Sequence, residues 1–227
     1  MPLQNRVDPF GAIHAVPERG MFTGNRGIIH DPDTKTLLKK RWALHAWIIC
    51  VCEFRGRRRV LMGRNRETPR GRKPGWTELF FLDEPTALAG GHRPCFYCQR
   101  ERATEFARRF GDAFGIAEPR APQIDTRLHK ERFASSRQPL PEMLPDTVGD
   151  LPDGVMVAVD GRPYALKGGR LLPWSFAGYG EAATVEAMRT GRPRIALITP
   201  MTSVATIAAG FRPIWHPSAG KAASHMG

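Results

Sequence analysis

FFLDEPTALAGGHRPCFYCQR, residues 80–100, sets the reading of this 227-residue chain. An apolar run ends at Asp83, which is placed to cap a short helix running through Ala89. Gly90 and Gly91 then stop that helix. An Arg-Pro dipeptide follows, and Cys95 and Cys98 form a C-x-x-C turn just before a charged segment. In that segment, RERATEFARRFGDAF, Ala103, Phe106, Ala107, Phe110 and Phe114 recur at helical spacing. One face is therefore apolar, while the other carries arginines and acids.

Working outward, RGIIH (26–30) and LHAWIICVCEF (44–54) read as strands, the second rich in aromatic and β-branched residues. RRVLM (58–62) is placed to return as a hairpin partner, and WTELFFL (76–82) reads as a further strand. A helix is expected from Gln123 to about Ala134. SSRQPLPEMLPDTVGDLPDG (135–154) is a Pro-rich linker by composition. Beyond it, VMVAVDGRPYAL predicts a hairpin around Asp160-Gly161, RLLPWSF extends the sheet, and RIALIT (194–199) reads as a buried strand before a short helix, SVATIAA. The expectation is an α+β fold: a zinc-stapled sheet-and-helix portion over 1–134, the linker 135–154, a smaller β-rich portion over 155–217 and a tail, 218–227. One internal echo reads either as a repeated unit or as chance similarity in an Ala/Gly-rich chain. Residues 78–94 and 196–213 share an apolar strand, a small-residue helix, Gly, His or Phe, and then Arg-Pro. Aligning Gly91 with Gly210 superposes Arg93 on Arg212 and Pro94 on Pro213.

The chain has four cysteines. In a C-x-x-C turn both sulfurs can face one centre, with backbone amides of the turn supporting the thiolates. Arg93 and Arg100 are placed to lower the thiol pKa values. Cys50 and Cys52 stand as C-x-C in IICVC; on a strand, residues i and i+2 face the same side. Cys50, Cys52, Cys95 and Cys98 together suffice for one tetrahedral Zn²⁺. His92, His45 and His216 are reserve ligands. The alternatives are core filling, since free cysteine is often buried, and a redox pair, which wants a strand immediately before the C-x-x-C.

Residues 80–100 also resemble the second half of the Ada-type zinc domain of the bacterial alkylation-response protein. In that family a strand and short helix lead into a Gly-aromatic-Arg-Pro-Cys-x-x-Cys corner. The resemblance implies zinc on Cys95 and Cys98, with Cys50 and Cys52 completing the set. It also implies a DNA-handling role. Two departures stand out: the upstream pair of the family is spaced C-x-x-x-C, and the loop between the pairs is longer here. The family's methyl transfer to a zinc-activated thiolate needs an exposed upstream cysteine, and an apolar strand does not announce one.

Charge points to a polyanion. The formal net charge is +12, with 27 Arg against 7 Lys, and arginine's planar fork suits phosphate. Nine of the basic residues lie within 55–73: Arg55, Arg57, Arg58, Arg59, Arg64, Arg66, Arg70, Arg72 and Lys73. Glu67 is the one acid among them, and Trp76 closes the run; the segment reads as a phosphate-tracking loop with Trp76 as a stacking face, or as a solvated loop with Trp76 as core. Nucleic acid, DNA in particular, is the expected partner. The start of the chain has no apolar leader and no run reaches membrane-spanning length, so a cytoplasmic location is expected.

Three other constellations admit an enzyme. Asp125, His129 and Arg132 fall on one helical face, where an Asp–His pair could orient a general base in a nuclease-type hydrolase. Glu78, Asp83 and Glu84 are candidate Mg²⁺ ligands, although Asp83 is also the expected cap. Trp174, Tyr179, Trp215 and His216 gather near Gly and Pro as a pocket or as core. A metal- or redox-responsive protein-interaction module is the remaining class.

Overall fold

The computed structural model describes residues 1–56, 59–135, 139–189 and 193–220. In chain order the first elements are β1 (Arg6–Val7), β2 (Ile13–His14), β3 (Phe22–Asn25), β4 (His30–Asp31), β5 (Thr36–Leu37), β6 (Ile48–Val51) and β7 (Leu79–Phe81). Then come α1 (Glu84–Ala89), β8 (Arg93–Pro94), α2 (Arg100–Phe114) and α3 (Ala121–Ser135). The remainder comprises β9 (Glu142–Met143), a 3₁₀ turn (Pro145–Asp150), β10 (Met156–Val159), β11 (Arg162–Lys167), β12 (Arg170–Ser175), β13 (Gly178–Tyr179) and β14 (Ala183–Thr184). The last elements are α4 (Val185–Arg189), β15 (Ile195–Leu197) and α5 (Met201–Ala208).

The fold is mixed α+β, as expected, with two main sheets. The first runs β2-β1-β7-β3-β6-β8 and the second β13-β12-β11-β10-β15-β9, with β14 on β12. β3 lies between β7 and β6 in the first sheet, and the close approach falls at Gly24. A Cβ on Gly24 would lie 2.1 Å from the Ile48 carbonyl oxygen and 2.9 Å from the Phe81 ring. Only glycine lets β6 and β7 close on β3 there.

Several local readings hold. Asp83 caps α1, its Oδ1 accepting from the Thr86 amide at 3.0 Å. α2 buries Ala103, Phe106, Ala107 and Phe110, and ends at Gly115 with φ +64°. The β10–β11 turn places Asp160 and Gly161 at φ +48° and +78°, the left-handed pair that a tight hairpin requires.

The internal echo is a repeat of backbone geometry. After α1, the amides of Gly90, Gly91 and His92 donate to Thr86, Leu88 and Ala87; after α5, those of Ala209, Gly210 and Phe211 donate to Ala205, Ile207 and Thr206. Gly91 and Gly210 both have positive φ, +77° and +108°. The strands before each helix also correspond: β7-β3-β6 in the first sheet matches β15-β10-β11 in the second, antiparallel throughout.

Other expectations are corrected. In 26–30 only His30 joins a ladder, pairing with Leu37. The strand expected over 44–54 shortens to four residues, because the amides of Ala43 and Leu44 turn back to the Arg26 carbonyl. Residues 59–62 form no return strand: Met62 has φ +52° and its amide donates to Glu78. Of the expected linker, 139–154 is built into the fold. β9 pairs with β15, and Val148 is fully buried. One hydrophobic cluster runs from Val7, Ile49 and Phe81 through Phe106 and Phe110 to Val157, Leu171 and Phe211, so both portions share a core.

Candidate metal centre and basic segment

The metal corner is made by strand register. β8 joins the edge of the first sheet parallel to β6, with Ile48 opposite Arg93 and Ile49 opposite Pro94. One step further along this ladder, Cys50 meets Cys95, and the Cys95 amide donates to the Ile49 carbonyl at 3.0 Å. The chain then turns sharply. The Gln99 amide donates to the Cys95 carbonyl at 3.0 Å, and Gln99 Nε2 reaches back to the Ile49 carbonyl at 2.9 Å. The turn brings Cys98 beside both other sulfurs, and the Sγ atoms of Cys50, Cys95 and Cys98 all lie within 4.8 Å of one another.

Cys50 and Cys95 are buried, and Cys98 is half-buried. The Tyr97 amide donates to Cys95 Sγ at 3.4 Å. These groups compete for negative charge. Hydrogen bonds from Cys50 and then Cys98, aided by the Cys98 and Tyr97 amides, hold the Cys95 thiol down at about 2. Cys50 is pushed far up by its bonds to Cys95 and Cys98 and by burial. The hydrogen bond with Cys50 lowers Cys98, but that with Cys95 and burial outweigh it and leave Cys98 raised. Three thiols this close oppose one another's ionisation, and a soft divalent ion would let all three ionise.

Cys52 is not part of this cluster. β6 ends at Val51, so the same-face argument for Cys50 and Cys52 loses its strand. Cys52 is exposed, and its Sγ faces the Met21 carbonyl oxygen at 3.4 Å. Burial first, and then Glu53, raise its pKa. Among the described residues no fourth His, Cys, Asp or Glu joins the three thiols. The reserve histidines are engaged elsewhere. His92 is fully buried against Arg26, His45 stacks on His129, and His216 Nδ1 lies 2.8 Å from Ser218 Oγ.

Arg93 does not serve the thiols as expected. It makes a two-pronged pair with Asp125, Nε and Nη2 each 2.8 Å from a carboxylate oxygen, which pins the corner to α3. The Asp–His arrangement is thereby lost. Asp125 faces Arg93, while the His129 ring stacks on His45 at 3.8 Å and meets Trp42 edge-on. The candidate Mg²⁺ ligands are likewise structural. Glu78 accepts from Arg59 Nε and the Met62 amide; Asp83 from Thr86, Tyr179 and the His216 amide; Glu84 from Arg102 and the Ile214 amide.

Within 55–73, Arg57 and Arg58 lie outside the described residues. Arg59 lies over the Trp76 ring, 4.1 Å from its centroid, so that ring already carries a cation on a face. Arg64 pairs with Asp33 and Arg72 with Glu67. Arg55, Arg66, Arg70 and Lys73 are exposed. Tyr97, inside the C-x-x-C turn, is 58% exposed, and Arg55 lies over both its ring and that of Phe54. Sequence reasoning missed Tyr97; its position between two turn cysteines was the available signal.

Among the described residues no helix is long and apolar enough to cross a membrane. No protein-family model matches the chain, and neither a curated protein nor a solved structure matches it.

Proposed function

We propose that this chain is a nucleic-acid-binding protein, DNA being the favoured partner, with a Zn²⁺ centre on Cys50, Cys95 and Cys98 supporting its basic segment. The observation that carries the reading is the junction of the two features. The three-thiol corner holds Tyr97 out to solvent beside Arg55, where the run of basic residues begins. The donor set fits zinc: thiolates are its preferred soft ligands, and tetrahedral Zn–S bonds of ~2.3 Å place sulfurs ~3.8 Å apart. Cys50, Cys95 and Cys98 would hold the ion, and its charge would let their thiolates coexist. An external donor would fill the fourth position. Exposed Arg55, Arg66, Arg70 and Lys73 would then track phosphates, and Tyr97 would offer the stacking face.

The test is salt-dependent binding of a fluorescein-labelled DNA duplex by wild type and by an Arg66→Ala, Arg70→Ala, Lys73→Ala triple variant. The variant should bind more weakly, and its log K against log salt should be shallower by about 2 to 3, one unit or slightly less per lost phosphate contact. Equal slopes for the two proteins would remove the basic segment from the interface.

A further inference from the structure

Between residues 34 and 52 the chain carries Lys35, Lys39, Lys40 and Arg41 and no acid. Residues 38–45 are all exposed, yet the loop they form is tied down at both ends. The Leu38 amide donates to the Ile29 carbonyl at 2.9 Å, and the amides of Ala43 and Leu44 donate to that of Arg26 at 2.7 and 3.1 Å. Arg132 Nη2 holds the next carbonyl, that of His45, at 2.8 Å. Trp42 is seated by two rings, meeting His129 edge-on at 4.7 Å and His45 at 5.7 Å, and still stands 38% exposed. Lys39, Lys40 and Arg41 pair with no carboxylate among the described residues. A fixed loop that presents an aromatic ring beside three uncompensated cations suits an anion with a flat, apolar part.

Beside the loop lies a cavity of about 410 Å³, open to solvent. Arg41 and Trp42 line it from the loop, Phe10, 44% exposed, lines it from the N-terminal arm, and Leu140 and Ile198 add apolar wall. Arg26 and Arg132 also reach it, but their guanidiniums bond His92 and the carbonyls of Gly11, Leu128 and His45. Those two arginines fix the floor and the loop, and the solvated cations are the ones at the rim. The volume is in the range of small-molecule sites, and its concavity suits one inserted flat group rather than a flat lipid surface. A base paired and stacked in a duplex cannot enter such a site, whereas a base out of the stack can.

We propose that this cavity takes one unpaired base of a nucleic-acid strand, stacked against Trp42 and Phe10, with Lys39, Lys40 and Arg41 on the phosphates beside it. The inference rests on the nucleic-acid reading above and names the form of strand, single or locally opened. It uses no residue of the segment 55–73, so the two surfaces can be tested apart.

2-Aminopurine, a fluorescent base that stacking quenches, tests the proposal when the full chain is titrated into three probes. These are the free nucleoside, an oligothymidine strand with one 2-aminopurine, and that strand annealed to its complement. The nucleoside and the single strand should be quenched, and the single strand should bind more tightly than the duplex. Trp42→Ala should abolish both quenches and weaken the single strand about fivefold to hundredfold, the worth of one stacked base. Phe10→Ala, at the other exposed ring, should act in the same direction without touching the loop. Lys39→Ala with Lys40→Ala should leave the nucleoside unchanged and make log K against log salt shallower by about 1.4 for the single strand. Strand binding that needs Arg66, Arg70 and Lys73 but survives Trp42→Ala and Phe10→Ala unchanged would sink this site and leave the basic segment standing. A preference for the duplex would do the same. A quenched nucleoside with no strand bound would overturn both readings, and its displacement by N-acetyltryptophanamide would then give the cavity to a side chain of a protein partner.

Discussion

Single residues decide what the metal corner can do. Cys95 and Cys98 were legible as neighbours because a C-x-x-C turn brings its two sulfurs together by local geometry. Cys50 became a third partner only through the parallel β6–β8 register, which no local pattern encodes. Cys52 fell away because the ladder stops one residue before it. Elemental analysis should therefore find one zinc per chain in wild type and in Cys52→Ser, and none in Cys95→Ser or Cys50→Ser. Zinc loss in Cys52→Ser would restore the four-cysteine set. His92 carries a second prediction at this scale. Burial first, then Arg26 and Arg132, hold it well below the ordinary histidine range. Below about pH 6.5 the unfolded chain takes up a proton that folded His92 refuses, so stability is lost as the pH falls through that value. Between pH 7 and pH 5 the melting temperature should fall more steeply in wild type than in His92→Gln. Parallel curves would show that His92 does not set the acid limit.

Elements were legible where local chemistry fixed their ends. Asp83, Gly90 and the Asp160-Gly161 pair marked a helix start, a helix stop and a hairpin correctly. The strands were overextended, because apolar residues flanking β6 and β7 are buried by loops as well as by sheet. The Asp125–His129 spacing on α3 was real but pointed to the wrong chemistry. Its carboxylate joins α3 to the metal corner through Arg93, with side chains 11% and 6% exposed. Asp125→Ala leaves a buried guanidinium without its partner, and the expected cost is about 3–5 kcal/mol, read from urea midpoints. A loss below about 1 kcal/mol, the worth of a solvated pair, would show the contact to be dispensable.

At the scale of the molecule, the two portions, 1–134 and 155–217, do not stand apart. Asp83 of the first accepts from Tyr179 and the His216 amide of the second, Glu84 accepts from the Ile214 amide, and Trp174 Nε1 donates to Thr86. With a hydrophobic cluster common to both, urea should unfold the protein in one transition. Far-ultraviolet circular dichroism and fluorescence from Trp42, Trp47, Trp76, Trp174 and Trp215 should coincide. Separate midpoints would mean that each portion holds its own core.

By itself the sequence determined the class of fold, the C-x-x-C corner and the positive charge, and it hinted at the strand–helix–glycine echo. Each is written in neighbouring residues or in composition, through caps, periodicity and turn chemistry. The tertiary structure alone decided which cysteine completes the cluster, which arginines are paired and which exposed, and that Arg26 lies buried beside Arg132 and Trp47 at the edge of a cavity. Those outcomes depend on contacts between residues up to about a hundred positions apart, brought together by strand register and a shared core.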